Sequence, residues 1–233
     1  LAVSRQFSYN LDCVSGFQFT HTKQRGAIKK EEDLLVLDIA AGEGAFSKRL
    51  FDNGFCVDSV DIDHENFKYN GTIPFVKIDL NNAQNLGEFI LQNKERYDIV
   101  VSMETIEHLE NPWMFLRSLK EVVKPGGYIV LSTPNIESPW SKFCFFLRDR
   151  FLMFMEGDLP YGHINPLTSF ELKTIFNRIG LVHEATYPGG LYPLLWFRKR
   201  FFDSIYWCLV NILSLPFTNR LDYSWCKIYL IRR

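Results

Sequence analysis

The chain has 233 residues, 47% of them hydrophobic, enough for one sizeable α/β core and too few for two. Its formal net charge of −1 provides no broad basic field, which argues against nucleic acid as a partner and favours a small-molecule or single-group substrate. The five cysteines (Cys13, Cys56, Cys144, Cys208 and Cys226) are odd in number and lack C-x-x-C spacing, so neither a disulfide framework nor a zinc knuckle is indicated, and a reducing cytoplasm fits.

The opening stretch, "LAVSRQFSYNLDC", has no long apolar core behind a basic start and is not read as a secretory signal. Apolar runs and their punctuation then place strands at 34–39, 55–60, 73–78, 97–102 and 128–132. Helices fall between them at 44–52, 84–93 and 112–123. The last has Asn111 as N-cap, Pro112 at the first position and "KPGG" closing it. This alternation predicts an α/β fold, a Rossmann-like three-layer sandwich on a mostly parallel sheet, with ligands at the carboxyl ends of the strands.

The rhythm breaks after Thr133. An aromatic-rich insertion at 134–167 precedes a helix, "SFELKTIFNRIG", with Phe170, Leu172, Ile175, Phe176 and Ile179 as its apolar stripe. The strand "LVHEATY" follows, then a second aromatic insertion at 188–223, and "WCKIYLIRR" closes the chain. All of this reads as one domain, 1–233, with two cap insertions. The longest apolar run of the second insertion, 205–217, is broken by Asn211 and Pro216 and falls short of the ~20 residues a spanning helix needs.

The stretch "LLVLDIAAGEGAFSKRL" at 34–50 combines a buried strand, a small-residue turn and a helix start, an arrangement suited to close backbone approach by a cofactor. A dinucleotide fold wants G-x-G-x-x-G, but beyond Gly42 and Gly44 this chain offers Phe46 and Ser47. Instead an acid, Asp38, lies within the strand, and further acids follow the second strand in "VDSVDIDHEN". These residues resemble the class I S-adenosylmethionine-dependent methyltransferases, whose first strand ends in D-x-G-x-G-x-G. The resemblance continues in register through "VKIDL", "YDIVVSMETIEHL" and "LKEVVKPGGYIVLSTPN".

It implies a seven-stranded sheet with an antiparallel last strand, and S-adenosylmethionine held by Asp38, Ala40, Gly42, Gly44, Asp61, Ile62, Asp79, Leu80 and Met103. Asp38 would meet the cationic amino end of the methionine moiety. Asp61 would take the ribose hydroxyls, with Asp63 as its rival, and Asp79 would lie near the adenine. Gly42 and Gly44 would remove side chains where backbone meets ligand. One departure stands out: Ala40 replaces the first glycine of the family pattern, adding a methyl beside the methionine part.

At the reacting end, "METIEHLENP" supplies Glu104, Glu107 and His108, which one helical turn would place on one side. His163 lies in "YGHINPLTSFEL", within the insertion expected to cover the methyl group. This E-x-x-E-H pattern resembles two divalent-metal-dependent branches of the family: the ubiquinone-biosynthesis O-methyltransferases and the small-RNA terminal 2′-hydroxyl methyltransferases. The resemblance implies catalytic roles for His108, His163 and Glu104, and a cation such as Mg held by Glu104, Glu107, His108 and His163. A histidine base would need no metal, and Glu107 and His108 would then organise the loop. His21, His64 and His183 read as ordinary surface or core residues.

Within "LLWFRKRFF", Arg198, Lys199 and Arg200 sit between apolar blocks. Peripheral contact with the inner face of a membrane through 191–217, a lid over a hydrophobic substrate, and a cover for the sheet edge would each bury those aromatics. The expected activity is O-methylation of a small molecule, a glycan or a lipid-linked intermediate. RNA 2′-hydroxyl methylation and non-catalytic binding of S-adenosylmethionine stand as alternatives. Nothing in the sequence fixes an oligomeric state.

Overall fold

The computed structural model describes residues 33–190 and 221–233, together with positions 205, 208, 209, 212 and 219. In chain order the elements are β1 (Leu35–Ile39), α1 (Ala45–Asp52), β2 (Cys56–Asp61), β3 (Phe75–Lys77), α2 (Ala83–Gln92) and β4 (Tyr97–Ser102). A single 3-10 turn (Ile106–His108), α3 (Pro112–Val122), β5 (Val123–Pro134), α4 (Pro139–Arg148) and a second 3-10 segment (Glu156–Tyr161) come next. The last elements are α5 (Ser169–Ile179), β6 (Val182–Gly189) and β7 (Cys226–Arg232).

The seven strands form one sheet in the order β3-β2-β1-β4-β5-β7-β6, parallel except for β7, which runs antiparallel to both neighbours. Period-two alternation divides the core between its faces. Leu37, Ile39, Val100, Leu131 and Tyr229 pack with Leu86, Leu116, Leu119 and Phe176 of α2, α3 and α5. Val36, Ile99, Val101, Val130 and Ile228 pack on the other side with Leu50 of α1 and with Phe67 and Ile73. Both faces of the central strands are covered, which is why those strands read as near-continuous apolar runs.

The N-cap expected for α3 forms, and a second one that the sequence reading did not assign opens α5. The Asn111 side chain accepts from Met114 N–H with Pro112 in the first turn, and Thr168 accepts from Glu171 N–H at the start of α5. "KPGG" does not close α3 as a loop. Val123 pairs with Tyr97, and Gly126 N–H donates to the Arg233 carbonyl, so the segment is drawn into β5. The third strand is confined to Phe75–Lys77, because Ile73 N–H turns back to the Tyr69 carbonyl. The first insertion loses Pro134 to β5 and gains α4 and the second 3-10 segment.

Most of the second insertion, including Arg198, Lys199 and Arg200, lies outside the described residues, as does His21. Among the described residues no helix is long and apolar enough to cross a membrane.

Candidate active site

β1 and β4 are adjacent in the sheet, but the chain leaves them toward opposite faces, opening a crevice at their carboxyl ends. The turn after β1 lines it. Ala40, Gly42 and Gly44 all adopt left-handed backbone, with φ of 61°, 55° and 83°. Glycine takes this conformation freely, whereas Ala40 carries its methyl at a steric cost. A side chain at Gly42 would enter open space, as expected of backbone facing a ligand. Gly44 differs from that expectation: a Cβ there would lie 2.4 Å from the Phe67 ring and 2.9 Å from Tyr69. It is glycine because aromatic side chains, not the crevice, occupy that space.

Asp61 faces this turn, its Oδ2 accepting from Gly42 N–H at 2.8 Å and its Oδ1 from Asp63 N–H at 3.0 Å. Asp63 is turned to its own loop, where Oδ1 accepts from Glu65 and Asn66 N–H. Asp38 is buried and accepts from Ser47 Oγ at 2.5 Å, while Ser59 Oγ donates in turn to Ser47 at 2.9 Å. Burial pushes the Asp38 carboxyl up to about 6, against the lowering effect of the Ser47 bond.

Ile62 is exposed beside Asp61, whereas Leu80 and Met103 are buried. Asp79 accepts from Asn81 N–H, and Asn81 accepts from Glu110 N–H, joining the loops after β3 and β4. Of the residues expected around a cofactor, the turn joins Gly42 directly to Asp61, while Asp38 is bonded to Ser47 instead.

At the reacting end the expected helical turn begins late. Glu104 has a φ of 51°, and the 3-10 turn starts only at Ile106. Ser132 holds Glu104 back: its Oγ accepts from Glu104 N–H at 3.0 Å and donates to the Glu104 carboxylate at 2.6 Å. Glu104 therefore departs from the expected metal set. Burial raises its carboxyl to about 7.

Glu107, His108 and His163 do converge, each offering a ligand atom within 4.8 Å of the others. Glu107 is fully buried. Its Oε2 accepts from Thr133 Oγ1 at 3.1 Å, and its Oε1, 3.9 Å from His108 Nε2, has no hydrogen-bond partner. Burial first, and then the neighbouring Glu104, push the Glu107 carboxyl well above the usual range.

The insertion delivers His163 because Ile164 and Asn165 N–H both donate to the Glu107 carbonyl, at 3.0 and 2.9 Å. The His163 and His108 rings meet edge to face with centroids 4.7 Å apart. His163 Nδ1 lies 2.6 Å from the Met153 carbonyl, and a carbonyl only accepts, so Nδ1 bears a proton and, in the neutral ring, Nε2 carries the lone pair. Burial, then His163, lowers the His108 pKa and keeps its imidazole neutral near pH 7.

Thr133 and Met153 were not singled out in the sequence. Thr133 acts through its hydroxyl and Met153 through its main chain, so neither carries a distinctive residue pattern. Outside the cluster, His64 packs on Phe75, and His183 Nε2 contacts Thr186 Oγ1.

A seven-stranded sheet with this order, a small-residue turn after β1 and an acid at the end of β2 define the class I S-adenosylmethionine-dependent methyltransferase fold. The chain belongs to the methyltransferase domain family, whose model matches residues 18–185. It is 33% identical over 106 residues to the ubiquinone biosynthesis O-methyltransferase of Caulobacter vibrioides, a match covering 45% of this chain and 42% of that protein. It is 36% identical over 104 residues to its counterpart in Rickettsia typhi, covering 44% and 42%. The matched region thus spans less than half the length of these relatives. A methyltransferase of Archaeoglobus fulgidus described as S-adenosylmethionine dependent shares the fold, with a TM-score of 0.59, 20% identity and 86% of each chain covered.

Proposed function

We propose that the protein transfers the methyl group of S-adenosylmethionine to a hydroxyl oxygen, with Glu107, His108 and His163 at the reacting end. The observation that carries this reading is their convergence at the edge of the crevice, with a buried Glu107 oxygen left without a partner. The names of the curated relatives, O-methyltransferases, support oxygen as the accepting atom. Asp61 is assigned to the ribose hydroxyls because it, rather than Asp63, faces the turn. The glycine turn and exposed Ile62 frame the rest of the cofactor, and the Ser47 bond makes Asp38 an organiser of that turn from below.

Methyl transfer is an in-line displacement, so alignment and removal of the acceptor's proton are the tasks left to the protein. Neutral His108 and His163 Nε2 both offer lone pairs for that proton. The donor set also fits a divalent cation, since one carboxylate and two imidazoles suit it and the orphaned Glu107 oxygen gains a partner. A cation held there would supply Lewis-acid assistance in ionising the acceptor hydroxyl. Phe146, Leu159, Tyr161 and Ile164 are exposed on the insertion that carries His163, which supports a small-molecule, glycan or lipid-linked acceptor with an apolar portion.

A radiolabelled-methyl assay on a cell-extract acceptor pool, with and without chelator, tests the reading. Methyl incorporation silenced by chelator and restored by divalent ions supports the metal form. Full activity in chelator removes the metal and leaves a histidine base, and no incorporation under any condition rejects the function.

A further inference from the structure

The insertion carrying His163 leaves β5 after Pro134 and ends at Ser169, the start of α5, and both junctions meet on β7. Glu137 accepts from Lys227 Nζ at 2.6 Å and from Ser169 N–H at 3.2 Å, and the Ser169 hydroxyl also donates to it. With that proton committed, Ser169 Oγ accepts from Lys227 Nζ at 3.0 Å and from Tyr229 OH at 2.9 Å. Three bonds thus converge on one Glu137 oxygen, Oε2, and Lys227 is only 9% exposed. Burial alone would raise the Glu137 carboxyl, but the Lys227 and Ser169 bonds outweigh it and hold it below its usual value.

Two residues earlier, buried Asn135 fastens the other side of the same junction. Its Nδ2 lies 3.0 Å from the carbonyls of both Leu221 and Ser224, and its N–H donates to the Trp225 carbonyl at 2.8 Å. The chain entering β7 is therefore bound to the start of the insertion. Thr133, the β5 neighbour of Lys227, bonds Glu107. The cluster thus adjoins the reacting end on the same sheet face, while none of Asn135, Glu137, Ser169 or Lys227 belongs to the Glu107–His108–His163 group.

We infer that Glu137 and Lys227, with Ser169 between them and Asn135 beside them, are positioning residues: a clamp that closes the 138–168 loop onto β7 and so holds His163 against His108. The inference rests on the methyl-transfer reading for its effect on turnover, though not for its effect on the loop. An ion pair bridged by a shared hydroxyl suits this task because each bond constrains direction as well as distance. Closing a loop of this length at its base also removes much of its freedom to lift away.

The test uses the full chain and the variants Glu137→Gln, Lys227→Met, their combination, and Lys227→Arg. Limited trypsin digestion reads the loop, because Arg148 and Arg150 are exposed within it. In Glu137→Gln and Lys227→Met, cleavage there should accelerate about 10-fold and turnover should fall about 10-fold or more, with S-adenosylmethionine affinity within about twofold of the parent. The double variant should be no worse than either single, since the pair acts as one unit. Lys227→Arg, which keeps the charge, should recover most of the turnover, and Lys227→Met stands in if Glu137→Gln does not fold.

Unchanged cleavage in both single variants overturns the clamp. So does a lowered Tm with turnover per folded molecule intact, or a Lys227→Arg protein as impaired as Lys227→Met. Failure of the parent protein to transfer methyl groups would reject the proposed function, and the digestion result would still decide the clamp.

Discussion

His163 donates its Nδ1 proton to the Met153 carbonyl at 2.6 Å, which fixes the tautomer and leaves Nε2 to accept a proton or a cation. His108, its edge-to-face neighbour, is held neutral by burial and by His163 itself. Replacing either histidine by alanine should lower turnover by about 10²-fold while leaving S-adenosylmethionine affinity near the parent value, because proton removal matters in the transition state. Calorimetric cofactor titration beside the methyl assay checks this. Full activity in both variants would remove the site.

The pH dependence follows from the sign of the His108 shift. Its folded pKa lies below the ordinary 6.5, so the folded chain takes up the proton less readily than the unfolded chain. Stability should fall as pH drops below about 6.5 and through the folded value, and the acid limb of the rate profile should inflect below 6.5. His108→Ala should remove that part of the stability slope. An inflection above 6.5 would contradict the assignment.

Glu107 gives the opposite sign. Its carboxyl is raised, so stability is lost as pH rises from the unfolded value toward the folded one. In the presence of chelator, Glu107→Gln should raise Tm at pH 7 to 8. It should also abolish any rise in Tm that divalent ions give the parent, since a ligand bound only to the folded state stabilises by mass action. Glu104→Ala should leave the ion effect in place, because Ser132 engages that side chain and it is not one of the three converging ligands. Thermal melts across both conditions suffice, and an ion effect lost with Glu104 but kept without Glu107 would reverse the assignment.

Asp38 has its carboxyl raised from 3.8 to about 6, so at pH 7 the fold carries a buried charge it resists. Asp38→Asn should stabilise the cofactor-free protein at pH 7 by about 2 to 3 kcal/mol, an advantage that shrinks as pH falls through about 6 toward 3.8. The same change should weaken S-adenosylmethionine binding through the disturbed turn. Denaturant titrations at pH 7 and pH 4 measure the difference, and equal effects at both would refute the burial argument.

The left-handed positions give paired tests. Ala40→Gly should stabilise by about 0.5 to 1 kcal/mol by relieving the methyl at φ 61°, with cofactor binding kept or improved. Gly44→Val should cripple folding, because the side chain would overlap Phe67. Gly162→Ala should act on turnover instead: the new Cβ would sit 3.2 Å from His108 Nδ1 on a backbone with φ of 82°. Parallel melts and methyl assays separate the three, and a Gly162→Ala enzyme at full rate would show that His108 needs no fixed position.

The sequence alone determined the alternation of strands and helices, the N-cap at Asn111, and the acid-and-glycine turn after β1. Those features depend on near neighbours: apolar period, capping side chains and residues able to adopt left-handed backbone. Tertiary structure decided the rest. Residue spacing grouped Glu104 with Glu107 and His108, but the carboxylate that converges with the histidines is Glu107, while Ser132, 28 residues away in sequence, bonds Glu104. The Glu107 carbonyl brought His163 in, and a separate strand bound the insertion's two ends. Local periodicity could not reveal these contacts, because their energies come from groups that become neighbours only when the sheet assembles.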